Sequence, residues 1–229
     1  MKRKMYRRNI NKTGLLAKGA VGLLIFMMSN GAHADLIVSN LTGDDDLNFG
    51  GTDIYAQSFT TDARLYRLDN IILEVLTSAV DPASGIAVDI WDDNPSESTP
   101  GAAVGSFNIP FLPPGEWGER TFSPSTEILL NPLTTYWITT THSLASPGAF
   151  QFQGTDFAAI GPGTLGSLFS SGDGGLTWRY ASDLDMKLEV NGTVVPAPTA
   201  VILGVFGLYA AATRLRRRRG GGQGSRLNC

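Results

Sequence analysis

The sequence predicts an all-β fold, an antiparallel two-sheet sandwich of jelly-roll type, flanked by an N-terminal signal peptide and a C-terminal transmembrane sorting helix. Three observations carry that prediction. Apolar residues in the middle of the chain alternate with period two, Gly and Pro turn formers interrupt them at short intervals, and each end joins an apolar run to a block of basic residues.

At the N-terminus, Lys2, Arg3, Lys4, Arg7, Arg8, Lys12 and Lys18 precede the apolar stretch Ala20 to Met28. Ala32-His33-Ala34 then places small residues at the positions a signal peptidase reads, Ala32 and Ala34. Basic region, short apolar region and A-x-A site describe a secretory leader over residues 1–34, cut between Ala34 and Asp35. Nine apolar residues fall well short of the roughly 20 that span a bilayer, so a retained anchor fits less well.

Residues 35–194 form the predicted β domain. Ile71, Leu73 and Val75 share one face of a strand. Ile86, Val88 and Ile90 share another, with Ala87, Asp89 and Trp91 opposite, and Met186, Leu188 and Val190 alternate with Lys187 and Glu189. Successive side chains of a strand point to opposite faces, so each pattern describes a half-buried strand with one wet face. Tyr136 to Thr141 adds aromatic and β-branched residues that suit a pleated surface. Turns are marked by Gly50-Gly51, Asn94-Pro95, Pro100-Gly101, Pro113-Pro114-Gly115, Gly161-Pro162-Gly163 and Gly172-Asp173-Gly174-Gly175. No amphipathic helix and no repeat of fixed period interrupts them, which excludes a propeller or solenoid.

The charge is divided as sharply as the hydropathy. The whole chain has a net charge of −3, yet all 21 acidic residues and only five of the 18 basic ones lie between positions 35 and 195. That region therefore carries −16, which disfavours nucleic acid and anionic lipid as partners. The single cysteine, Cys229, is the last residue, so the β domain has neither disulfide nor thiolate and must rest on its core.

At the C-terminus, Val195-Pro196-Ala197-Pro198 leads into an apolar run from Thr199 to Thr213 and then into Arg214, Arg216, Arg217, Arg218 and Arg219. Arginines after an apolar helix act as a stop-transfer signal on the cytoplasmic side. Residues 195–219 resemble the PEP-CTERM sorting signal, in which a Val-Pro-Glu-Pro motif precedes such a helix and an arginine cluster. Here Ala197 replaces the family's glutamate, and a Gly-rich tail, 220–229, follows the arginines. The resemblance implies an exosortase-type membrane protease as partner, at least transient residence in the inner membrane, export through it, and delivery to the cell surface or the exopolysaccharide matrix. Without processing, the protein would stay anchored in the inner membrane.

The β domain itself resembles the choice-of-anchor R type of domain. The matching segments are Ala56 to Thr61, Leu68 to Leu73, Val88 to Asp93 followed by Pro100-Gly101, and Leu130 to Trp137. That likeness implies a sandwich with no activity assigned to particular residues.

No catalytic set stands out. His142 is the histidine left after the leader, at a strand end, and no carboxylate pair announces itself, so the reading is non-enzymatic and without a required cofactor. Calcium is the candidate metal, because hard cations collect several oxygen ligands on loops. Asp44 and Asp46 of one acidic turn and Asp92 and Asp93 of another are its candidates, neither turn following the EF-hand pattern. Ser171-Gly172-Asp173-Gly174-Gly175-Leu176-Thr177-Trp178 fits the Asp-box spacing and predicts one stabilised hairpin. Trp91, out of register with Ile90, and Trp117, in a Pro-Gly loop, are candidate ligand-stacking residues. The expected function is therefore a sorted surface or matrix protein with a structural or interaction role. The alternatives are a calcium-dependent module that binds the exopolysaccharide and, further off, an envelope glycosidase.

Overall fold

A computed structural model describes residues 34–44, 47–50, 53–77, 86–142 and 150–196, with Thr77, Ile86 and His142 described in their backbone alone. The chain divides into Met1–His33 and Ala34–Cys229, and every described residue belongs to the second unit.

The described residues are all-β. In chain order the strands are β1 Asp35–Ser39, β2 Leu47–Gly50, β3 Ile54–Thr60, β4 Tyr66–Thr77, β5 Ile86–Asn94, β6 Thr99–Asn108 and β7 Gly118–Pro124. They continue with β8 Leu129–Leu130, β9 Thr135–His142, β10 Phe150–Thr155, β11 Thr164–Ser171, β12 Arg179–Ser182, β13 Asp185–Met186 and β14 Leu188–Val194. Neighbours run antiparallel in the order β1-β14-β4-β7-β6-β5-β9-β3-β11-β12.

Strand β4 organises the first half of this path. Twelve residues long, it is flanked on one edge by β14, from Tyr66 to Leu73, and then by β10, from Val75 to Thr77. The other edge takes β8 at Tyr66 and Arg67 and β7 from Ile71 to Val75. The second half is the run β5-β9-β3-β11-β12, and β6 joins the two.

The expected two-sheet, jelly-roll sandwich is corrected here, because the hydrogen-bonded path is one curled sheet. Strand β6 pairs with β5 from Thr99 to Ser106 and then with β7 at Phe107 and Asn108. Ten extended residues reach roughly 34 Å, enough to lie beside both neighbours in turn, so the ladder passes from one half to the other without a gap. At the far end the curl nearly closes. Ser39 and Ile160 exchange backbone bonds at 2.9 and 2.7 Å, and Gly163 N donates to Ile37 O at 2.8 Å. Gly161 has a φ of +113°, and a Cβ there would lie 2.6 Å from Ile37 O, so only glycine fits this approach.

One core fills the curl. Ile71, Leu73, Val75, Phe122, Leu188 and Val190 from the first half meet Phe59, Val88, Ile90, Ile138 and Leu168 from the second in a single buried cluster. Each such side chain contributes roughly 1.5–3 kcal/mol on burial. Polar residues tie the layers at the break between β13 and β14. Gln57 accepts from Met186 N at 2.9 Å and donates to Asp185 at 3.0 Å, while Asn40 accepts from Leu188 N at 2.8 Å and donates to Met186 O at 3.1 Å. Lys187, at the break itself, is only 4% exposed and bridges to Glu74 at 2.7 Å. The wet face expected for it is corrected: Lys187 N bonds Gln153 O and Glu74 N bonds Lys187 O, which seats the side chain between strands.

The expectations built on membrane helices are also corrected. Among the described residues there is no helix, and none long and apolar enough to cross a membrane. Residues 1–33 of the leader, Ala32 among them, Ala197, Pro198, the run Thr199 to Thr213 and Arg214, Arg216, Arg217, Arg218 and Arg219 lie outside them. The last described residues are Val195, whose N–H donates to Leu65 O at 2.8 Å, and exposed Pro196. The apolar run is 15 residues long, against the roughly 20 that span a bilayer. Exosortase processing, the inner-membrane partner and the surface or matrix address rested on that helix, and no helix among the described residues carries them.

Candidate functional site

The outer face of the second half is where side chains with chemical potential converge. In β5 the core takes Val88 and Ile90, so Asp89, Trp91 and Asp93 point outward. Strand β9 sets Thr139 opposite Asp89 and Trp137 opposite Trp91. Across β3, which contributes Ala56 and Ser58, the same face continues with Phe169 of β11 and Tyr180 of β12.

These aromatics form a row of edge contacts. Trp137 meets Phe169 at 5.3 Å between centroids and 85°, and Phe169 meets Tyr180 at 6.1 Å and 88°. Perpendicular packing is favoured because it sets the positive edge of one ring on the negative face of the next. Asp93 accepts from Trp137 Nε1 at 2.9 Å, and Tyr180 OH donates to Asp183 at 2.7 Å.

The hairpin between β11 and β12 folds back over this face. Asp173 Oδ1 accepts from Leu176 N at 3.1 Å, Thr177 N at 2.9 Å and Ser171 Oγ at 2.7 Å, while Oδ2 accepts from Thr177 Oγ1 at 2.6 Å. Gly175 N donates to Ser171 Oγ at 2.8 Å. The Thr177 hydroxyl and amide, with Ser171 and Leu176, hold the Asp173 carboxyl down at about 2. Gly174 and Gly175 have φ of +79° and +90°, which an L side chain rarely adopts. The loop delivers Trp178 onto Trp91, with centroids 6.3 Å apart and planes at 78°. Trp91 Nε1 is buried and has no hydrogen-bond partner among the described residues. Leu176, at the tip, is 84% exposed.

Asp89 differs from the other carboxylates of this face. It is half-buried, and desolvation pushes its carboxyl above the ordinary range. It has no side-chain hydrogen bond or ion pair among the described residues.

The remaining candidates do not assemble. Asp92 of β5 accepts from Ala102 N of β6, Asp93 serves Trp137, Asp44 is exposed, and Asp46 lies outside the described residues. Among the described residues no group of three or more His, Cys, Asp or Glu could hold a metal ion, so the calcium candidates are not brought together. Trp117 is half-buried in the loop before β7, away from the aromatic row, and His142 ends β9. Ala34 is exposed just before β1. An open groove of about 400 Å³ lies between the start of β4 and the end of β7. Its Asp69 is engaged by Thr193 Oγ1 at 2.6 Å and by Arg67 at 3.5 Å. Asp89 and Trp178 enter the site without having been singled out as ligand residues. Their signals were the alternation that sets Asp89 beside Trp91 and the tryptophan that ends the Asp-box.

No protein-family description and no curated protein matches the sequence. A structural match is the VP2 subviral particle of infectious bursal disease virus, at 15% identity and a TM-score of 0.27. It covers 83% of this chain, which spans half the length of that one.

Proposed function

We propose that this chain is a non-catalytic structural β module whose working surface is the outer face of the β5-β9-β3-β11-β12 half. The observation that carries this reading is the docking of Trp178 on Trp91 by the Asp173 hairpin, which builds a fixed aromatic surface on the side of the sheet away from the core. A fixed surface binds with little ordering cost, whereas a catalytic site needs an acid, base or nucleophile free to react. On this face Asp93 and Asp173 are spent on structural hydrogen bonds. The likeness of Ala56 to Thr61, Val88 to Asp93 and Leu130 to Trp137 to choice-of-anchor R type domains supports the same reading, since that likeness brings no catalytic residues with it.

The experiment is a turnover screen of the purified protein against glycoside, ester and peptide substrates, repeated with Asp89→Asn, Asp93→Asn and Asp173→Asn. The reading expects no product above the blank from any of them. Product formed by the wild type and lost in one variant would contradict it.

A further inference from the structure

The outer face of β5 holds a carboxylate that the fold leaves unused, beside two indoles whose geometry suits a cation. Asp89 and Trp91 are successive outward residues, which places their Cα atoms roughly 7 Å apart. Asp89 faces neutral Ser106 on one neighbouring strand and neutral Thr139 on the other. Of the five basic side chains described, Arg64 pairs with Asp62, Arg67 with Asp69 and Lys187 with Glu74, Arg120 bonds Glu119 O, and Arg179 lays its guanidinium against Gly172 at the root of the hairpin. Trp178 stands at 78° to Trp91, so the two ring faces border one quadrant, and a Cβ on Gly175 would touch both rings at 3.6 and 3.8 Å.

We propose that the Trp91–Trp178 notch beside Asp89 binds the alkylated ammonium group of an organic cation. Indole faces attract cations through the ring quadrupole, and a nearby carboxylate adds Coulomb attraction. The charge of −16 over residues 35–195 draws cations in and repels anions. A small, strongly hydrated metal ion is a poor occupant, because it demands several oxygen ligands that do not converge here. A sugar would find only Asp89 to meet its several hydroxyls, since the oxygens of Asp173 already accept four hydrogen bonds.

The test titrates the full chain with choline while following tryptophan emission, in parallel with 3,3-dimethylbutanol, its uncharged isostere. Choline is expected to saturate the signal in the millimolar range, and the alcohol to bind about tenfold more weakly or not at all. Asp89→Asn should weaken choline about tenfold, Trp178→Leu should abolish binding, and Trp117→Phe should change neither. Trp178→Phe, which keeps a ring, should retain part of the affinity and covers the case in which the leucine variant does not fold. Phosphatidylcholine vesicles separate the sources of this chemistry. Vesicle binding displaced by free choline points to a lipid headgroup, and choline binding without vesicle binding points to a soluble cation. Equal binding of choline and the alcohol, indifference to Asp89→Asn, or quenching by cellohexaose with choline inert would each overturn the proposal. The inference rests on the reading of this face as a binding surface. Loss of choline binding with no turnover sinks the inference alone, whereas turnover of a substrate sinks the reading.

Discussion

Thr177 binds Asp173 twice, its hydroxyl donating to Oδ2 at 2.6 Å and its amide to Oδ1 at 2.9 Å. The carboxylate thereby closes the loop that carries Trp178. With the folded carboxyl at about 2 against an ordinary 3.8, its stabilising effect is complete above pH 3.8 and is lost as pH falls through about 2. Asp173→Asn should therefore be less stable than wild type at pH 5, with the difference shrinking towards pH 2. Urea unfolding followed by tryptophan fluorescence across that interval checks it.

Asp89 has the opposite sign. Its raised carboxyl makes the folded state bind more protons than the unfolded state, so stability falls as pH rises above 3.8 and through the raised value. Asp89→Asn should raise the melting temperature at pH 7 and have no effect below pH 3.8. Calorimetry at the two pH values decides this. A residue whose removal stabilises the fold while weakening choline binding is one kept for binding.

Asn40 uses both ends of its amide on the backbone of Met186 and Leu188. Asn40→Ala leaves a buried carbonyl and a buried N–H without partners, and should cost about 3 kcal/mol in urea unfolding. A change under 1 kcal/mol would mean that the β13-β14 break is held otherwise.

Lys187→Met should cost about 3 kcal/mol, because it strands Glu74 with Glu119 directly across the β4-β7 pair. The double variant Lys187→Met with Glu74→Leu should recover most of that loss, since a well-packed apolar pair replaces a buried ionic one at little expense. Thermal unfolding of both proteins checks it.

What the sequence reveals and what it hides follow from range. Period-two alternation placed Ile71, Leu73, Val75, Val88 and Ile90 in the core and Asp89 and Trp91 outside it, because facing is set by neighbouring residues. The Asp-box hairpin was legible for the same reason, since every bond of Asp173 stays within four residues. Passage of β6 from β5 to β7 depends on register between distant strands, which spacing does not encode. The contact of Trp178 with Trp91 joins residues far apart in sequence, and only the folded sheet brings them together. Lys187 was misread because alternation assumes an unbroken strand, and the chain breaks pairing there. At the C-terminus, the order of proline motif, apolar run and arginines suggests a membrane helix, but the run is short of a bilayer's thickness and lies outside the described residues, which contain no helix.

The central claim is that Trp91 and Trp178 form the working surface. It is tested most directly by following the indole N–H resonances of the four tryptophans by NMR as choline is added. The account predicts saturable shifts of the Trp91 and Trp178 signals, with Trp117 unmoved. Shifts confined to Trp117, or none at any choline concentration, would contradict it.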